Sequence, residues 1–366
     1  MNNPVIIVGA GLAGIRAATL LQAEGIDYRI LEARNRVGGR ILSIESSTMP
    51  ESGKFDLGPT WYWPRYEKSI SELVQELRLE TFEQYTEGAM LFERYEGRAP
   101  ERHVLPEHAI ERSLRFTGGA QALIRSLVDT LPSNKIELGV HVKGIDLSED
   151  KVISIRAEDS ERHTKEYTTN YVILALPPRL IVKHIHFSPA LSRQTVSDLM
   201  NKPTWMAAQA KAVAVYDRPF WRETGHSGMA SSWVGPLQEI HDASPGTGSG
   251  ALFGFFGMPA TTRQEIGETR ISKLVIDQLV RLFGPEAREV REILLQDWST
   301  EQETTVSDDL MQRSSFPEYG AIPVVGDWEQ KIIFAGTETS SEFGGHLEGA
   351  LLSAERAVNQ IIAFVK

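Results

Sequence analysis

Residues 5–40 read VIIVGAGLAGIRAATLLQAEGIDYRILEARNRVGGR. The opening VIIVG is a β-branched run suited to a buried parallel strand. Gly9-Ala10-Gly11-Leu12-Ala13-Gly14 follows and opens a helix that stops at Gly25. A second strand, YRILEA, reaches Glu32, 18 positions after Gly14. Gly9 allows the sharp turn, Gly11 lets backbone approach a pyrophosphate, and Gly14 lets helix pack close to strand. The helix N-terminus offers unpaired N–H groups and a positive dipole to an anion. Glu32 can accept hydrogen bonds from both ribose hydroxyls of an adenosine, and its charge disfavours a 2′-phosphate. The glycines alone fit a plain tight turn; strand, turn, helix and acid together predict a dinucleotide site.

A second motif starts at the same acid: Glu32-Ala33-Arg34-Asn35-Arg36-Val37-Gly38-Gly39-Arg40. Its glycine pair between Arg36 and Arg40 makes another backbone nest with cationic walls, suited to more phosphate or to a flavin. Nicotinamide dehydrogenases have no need of it. The alternative is a solvated basic loop.

The chain has 366 residues, which suggests two domains or one large α/β unit with an inserted lobe. Its net charge of −11 argues against nucleic acid or an acidic membrane as main partner. Hydrophobic residues at 41% and charged residues at 24% are ordinary for a globular chain. The absence of cysteine excludes disulfides, thiolate nucleophiles, iron–sulfur clusters and cysteinyl cofactor links. The first apolar run is too short to span a bilayer and lacks a cleavage pattern, and the C-terminal EGALLSAERAVNQIIAFVK has helical, core-facing periodicity. A soluble, cytoplasmic protein is expected.

Beyond residue 66 the pattern changes. SISELVQELRLE is an amphipathic helix, followed by a polar stretch with Pro100 and Pro106; residues 119–131 return to helix. KIELGVHVKGIDLS, KVISIRAE and EYTTNYVILALPP read as successive strands around a charged turn, and WMAAQAKAVAVY as a long strand of small residues. SPGTGSG (244–250) is a loop, ALFGFFG a strand and RISKLVIDQLVRLFG a helix. The end repeats strand (KIIFAG), Gly-rich turn and helix, so an α/β architecture with interleaved lobes follows. A helix N-terminus at that last turn would stabilise negative charge on a reduced ring. Lys211 is the sole cation among the alanines and valines of its strand, alternating with Ala210 and Ala212. Burial would lower its pKa; an edge lysine reaching water fits equally well.

These motifs together resemble the flavin-containing amine oxidase family, which includes monoamine, polyamine and L-amino acid oxidases. Several segments match in order: VIIVGAGLAG, LEARNRVGGR, FDLGPTWYWP (55–64), FTGGAQAL (116–123), ELGVHVKGID, NYVILALPP, AKAVAVYDRPFW and FAGTETSSEFGGHLEGALLSAERA. The resemblance implies an α/β fold with an α+β substrate lobe. A discontinuous Rossmann-like FAD-binding domain would span 1–66, 117–190 and 315–366, with 67–116 and 191–314 binding substrate. It implies FAD contacts at Gly9, Gly11, Ala13, Gly14, Glu32, Ala33, Arg34, Gly39, Arg40, Gly58, Pro59, Thr60, Trp61, Val142, Ala175, Pro177, Gly336, Thr337, Gly345 and Leu347. Glu338 would sit near the ribityl-pyrophosphate region. Trp298 would pack beside the flavin, though a plain core tryptophan fits its setting too. Lys211 matches the lysine that holds a water against the reactive flavin nitrogen and assists reoxidation by oxygen.

The implied reaction oxidises a small amine to an imine and reduces oxygen to hydrogen peroxide. A flavin desaturase or dehydrogenase with another acceptor, and a weakly active FAD-binding scaffold, are the alternatives. Without cysteine the FAD is expected to be non-covalent, unless a histidine is linked. His346 stands where the family has the second tyrosine framing the amine, and residues 299–318 supply no first one. It could bind substrate, carry a proton or fill space. Asp308 and Asp309 could meet a cationic amine, but read first as a solvated loop pair. Only about fifty residues separate Pro64 from Phe116, fewer than the longer helical roof of larger members. The cavity would then be more open, or completed by a partner subunit in a homodimer.

Overall fold

The computed structural model describes residues 3–106, 109–246, 248–310 and 316–365. Its centre is a parallel sheet in the order Ile332–Phe334, Val172–Leu174, Val5–Val8, Tyr28–Glu32, Ile136–Leu138. Three of these strands are buried at every residue, as expected for parallel strands covered on both faces. Strand alternation divides the cover. Val5 and Ile7 pack with the helices Leu12–Ala23, Lys68–Glu76, Gln121–Val128 and Leu347–Val365. Ile6 and Val8 face Ile145, Ile153 and Ile155 of a four-stranded sheet. That sheet runs Thr164–Thr169, Ile153–Glu158, His141–Leu147, His186–Ser188.

The third layer is a seven-stranded sheet, ordered Glu292–Asp297, Ala210–Tyr216, Gly250–Phe256, Leu237–Asp242, His226–Ser232, Ala89–Glu93, Glu101–Val104. Ala210, Ala212 and Ala214 turn to the helix Glu268–Phe283, whose Ile271, Val275 and Leu279 cover that face. Val213 and Val215 turn the other way, onto Phe55, Leu57 and Phe253. With period two, Lys211 shares the Val213 face, and it is 1% exposed. Lys211 is therefore a core group in a central strand, flanked on both edges by paired neighbours.

Residues 67–116 differ from the sequence reading. After the helix Lys68–Glu76 come Thr81–Glu83, Ala89–Glu93, Glu101–Val104 and Leu114–Phe116, all strands. Two of them extend the long sheet, where Ala89–Glu93 pairs in parallel with His226–Ser232. The alternation of AMLFE is half-buried on one face, a weak signal beside two prolines. The long strand expected over WMAAQAKAVAVY starts only at Ala210, because Met206 takes a positive φ and the preceding residues turn. The boundary expected at residues 314/315 lies outside the described residues, as does part of the 244–250 loop. Among the described residues, no helix is long and apolar enough to cross a membrane.

Candidate active site

A cavity of about 570 Å³ is lined by the three large sheets. The first glycine turn forms one wall. Gly9 has φ +103, and a Cβ there would lie 2.6 Å from the Ala175 carbonyl oxygen. A Cβ on Gly14 would lie 1.9 Å from the Gly9 oxygen, so the helix starts against the strand. Gly11 is the reverse case: a Cβ would meet nothing within 4 Å, since that side faces the cavity. Gly39 of the second nest is stacked on it, 3.3 Å from a built Cβ to the Gly11 Cα.

Glu32 is 5% exposed and lines the cavity. Its carboxylate accepts from the backbone N–H of Ala10 at 2.6 Å and of Arg34 at 2.9 Å. Each oxygen keeps lone pairs for a further donor. Beside it, Val142 lines the cavity where the neighbouring strand His186–Ser188 pairs only with Gly144–Asp146. Ala13, Ala33, Arg34, Gly58, Pro59, Thr60, Ala175, Pro177, Gly336, Thr337 and Gly345 also line it, as do Trp61, Trp298, His346 and Leu347. Of the expected cofactor contacts, Gly14 and Glu338 stand behind this wall. Glu338 is fully buried and forms a two-pronged ion pair with Arg40, at 2.6 and 3.0 Å, while accepting the Trp205 N–H. The cationic walls of the second nest are thus partly committed. Arg40 answers Glu338, and Arg34 binds Glu301, the Glu303 carbonyl and Thr304.

At the opposite end Lys211 donates to the Gly58 carbonyl at 3.1 Å and Thr60 Oγ1 at 2.5 Å, above the Phe253 ring. Burial pushes its pKa down to about 7; Asp56 opposes the fall and Arg115 adds to it. Burial likewise raises Asp56, against the pull of Lys211 and Arg115. Asp56 accepts from Ser43 Oγ and the Ala120 N–H, which locks the 55–60 turn to the helix Gln121–Val128. Trp298, 7% exposed, donates its indole N–H to the Leu57 carbonyl at 3.0 Å, so it is a fixed wall. The C-terminal helix opens at the cavity with Leu347 and Ala350 in the lining, its positive end directed there.

Several residues escaped the sequence reading. Glu67, Trp205, Met206, Gln209 and Phe255 also line this end. Trp61 and Trp63 both face the cavity, whereas Tyr62 between them packs against Phe116 in the core. Asp309 is no solvated loop acid: it is buried, paired with Arg179 at 2.7 Å, and accepts the Thr204 N–H. Asp308 pairs with Lys183 at 2.9 Å.

An open glycine face at a helix start, a capped ribose-type acid, an uncovered strand edge and a second helix start share one cavity. This donor set fits an adenine dinucleotide that carries a flavin, so fold and site define a dinucleotide-binding α/β oxidoreductase. The family model described as flavin containing amine oxidoreductase matches residues 12–110 and 101–362. The chain belongs to that family and is a flavin-dependent oxidoreductase. It is 24% identical to a probable flavin-containing monoamine oxidase A of Dictyostelium discoideum, over 98% of this chain and 97% of that one. It is 23% identical to amine oxidase [flavin-containing] B of Homo sapiens, over 98% and 86%. Among solved structures, putrescine oxidase bound to putrescine superposes with a TM-score of 0.80 at 21% identity, covering 99% of each chain. Cyclohexylamine oxidase from Brevibacterium oxydans IH-35A gives 0.81 at 18%, covering both chains fully. The two structures share the two-domain fold.

Proposed function

We propose that this protein is an FAD-dependent oxidase that converts a small amine to an imine, which water then hydrolyses, with oxygen reduced to hydrogen peroxide. One observation carries the reading: the two glycine turns, the start of the C-terminal helix, Trp298 and Lys211 line a single cavity. FAD, when bound, supplies the electron chemistry. The chain's residues do the rest. Gly9, Gly11 and the following helix start would hold the pyrophosphate, Glu32 the ribose, and Val142 the adenine edge. The helix that starts at Leu347 would stabilise negative charge on the reduced ring. Lys211, held by Gly58 and Thr60, serves the oxygen half-reaction. The absence of cysteine supports a cofactor held non-covalently, short of a histidine link. Residues 1–66, 117–190 and 315–366 carry the cofactor, and 67–116 with 191–314 carry the substrate.

The test is direct. Purified protein should show a flavin spectrum, release intact FAD on denaturation, bleach anaerobically with an amine, and yield peroxide on re-aeration. Bleaching by an amine with no oxygen uptake would favour a dehydrogenase using another acceptor. A flavin that no amine reduces would overturn the reading.

A further inference from the structure

The helix Lys68–Glu76 begins without a cap from its own leading residue. Glu67 occupies the N-cap position, where a shorter side chain such as Asp or Ser ordinarily binds the first-turn amides. Those amides are taken instead by Glu348 of the C-terminal helix, which accepts from Ser69 N–H at 2.9 Å and Ile70 N–H at 2.8 Å. Glu67 is thereby released for another task. Its Oε2 accepts the Trp63 N–H at 2.7 Å, and its Oε1 lies 2.8 Å from His346 Nδ1. The carboxylate is 2% exposed, whereas a third of the imidazole is exposed, and both groups line the cavity.

A carboxylate only accepts, so Nδ1 carries the hydrogen and the lone pair of a neutral ring is on Nε2. Nε2 has no hydrogen-bond partner among the described residues. The backbone of His346 is fixed on both sides: its N–H donates to the Phe343 carbonyl and its carbonyl accepts from Thr337 Oγ1. Trp63 lies against the ring at 5.7 Å. Other charges on the surrounding elements are committed. Glu348 caps the helix, Lys68 donates to the Pro64 carbonyl, Glu342 is exposed, and Arg40 answers Glu338. Lys211, also in the lining, acts as donor to Gly58 and Thr60.

We propose that Glu67 and His346 are the proton acceptor of this site: His346 Nε2 takes a proton from the substrate ammonium, and Glu67 is the residue that positions and charge-balances the ring. The inference rests on the amine-oxidation reading above. An alkyl ammonium has no lone pair on nitrogen, so it must lose a proton before its neighbouring carbon can be oxidised. The N–H bond of the ammonium breaks, its electron pair stays on nitrogen, and the proton forms an N–H bond at Nε2. The new imidazolium faces a buried carboxylate, and its exposed edge returns the proton to water.

The experiment follows the anaerobic flavin-bleaching rate against pH for wild type, Glu67→Gln and His346→Gln, with n-butylamine and 1,4-diaminobutane as probes. Glu67→Gln keeps an acceptor for Nδ1 but removes the charge. Its acid limb should move to lower pH, because the charge facing the imidazolium is gone, with a lower plateau. His346→Gln should lose roughly a hundredfold at neutral pH yet regain most of the rate toward pH 11, where most of the amine is neutral in solution. Histidine 15N spectra of the substrate-free protein should show the Nδ1–H form of His346, which Glu67→Leu abolishes. His346→Gln losing the same factor at every pH, or all three profiles coinciding, overturns the proposal while leaving amine oxidation intact. Absence of bleaching by any amine at any pH in the wild type removes the amine-oxidation reading, and this proposal with it. Should Glu67→Gln lose its flavin, the His346→Gln profile decides alone.

Discussion

At the scale of single residues, two cations of the cavity wall are held in opposite ways. Lys211 has neutral partners in contact and only distant help from Asp56, so burial dominates and its pKa falls to about 7. Between that value and the usual 10.5 the unfolded chain binds more protons than the folded one. Stability from this group is therefore complete above about pH 10.5 and is lost as pH falls toward 7. Urea midpoints measured across that range should rise more steeply with pH in wild type than in Lys211→Met, which cannot titrate there. The same variant should slow flavin reoxidation by oxygen at least tenfold in stopped-flow traces, while leaving anaerobic reduction within a few-fold. Arg40, by contrast, has a carboxylate on both prongs. Removing the cation leaves Glu338 charged and fully buried. Arg40→Met should cost about 3 kcal/mol in urea unfolding, whereas Glu338→Gln, which leaves the half-buried Arg40 access to water, should cost less.

At the scale of elements, the strand Val5–Val8 and the helix Leu12–Ala23 meet so closely that no side chain fits at Gly14. A methyl there would force the Gly9 carbonyl aside and move the helix start from the cavity. Gly14→Ala should fold with its spectrum of secondary structure intact but purify with little flavin, read from the absorbance ratio of flavin to protein. This element was legible in the sequence because backbone geometry dictates residue type: positive φ at Gly9 and contact at Gly14 tolerate only glycine. The same reason made the FAGTETSSEFGGHLEG turn legible. The strands Ala89–Glu93 and Glu101–Val104 were not, because each is short, one is exposed along its whole length, and neighbouring prolines suggested a loop. Glu67 was illegible for a different reason. Its sequence position suggests a helix cap, and only the folded chain brings Glu348, 281 residues later, to take that role. His346 was visible as a departure from the family pattern; its partner, 279 residues earlier, was not.

At the scale of the whole molecule, the cavity is the meeting place of three sheets, and no single sheet encloses it. Val8 and Leu31 come from the parallel sheet, Val142 from the four-stranded sheet, and Lys211 and Phe255 from the long one. A ligand filling that space contacts every layer, whereas the unfolded chain offers it nothing comparable. If the proposed non-covalent FAD fills it, stability depends on free FAD as RT ln(1 + [FAD]/Kd), about 2.7 kcal/mol at a hundredfold excess over Kd. Stripping the flavin with mild denaturant and dialysis should lower Tm by several degrees, and added FAD should restore it in a concentration-dependent way. The loss should fall on the layers that share the cavity, so hydrogen exchange in the apoprotein should quicken at the 55–60 turn and the start of the C-terminal helix. It should change least in the helix Glu268–Phe283, which covers the far face of the long sheet. Flavin that stays with the denatured chain, and a Tm indifferent to free FAD, would instead mean a covalent link through a histidine.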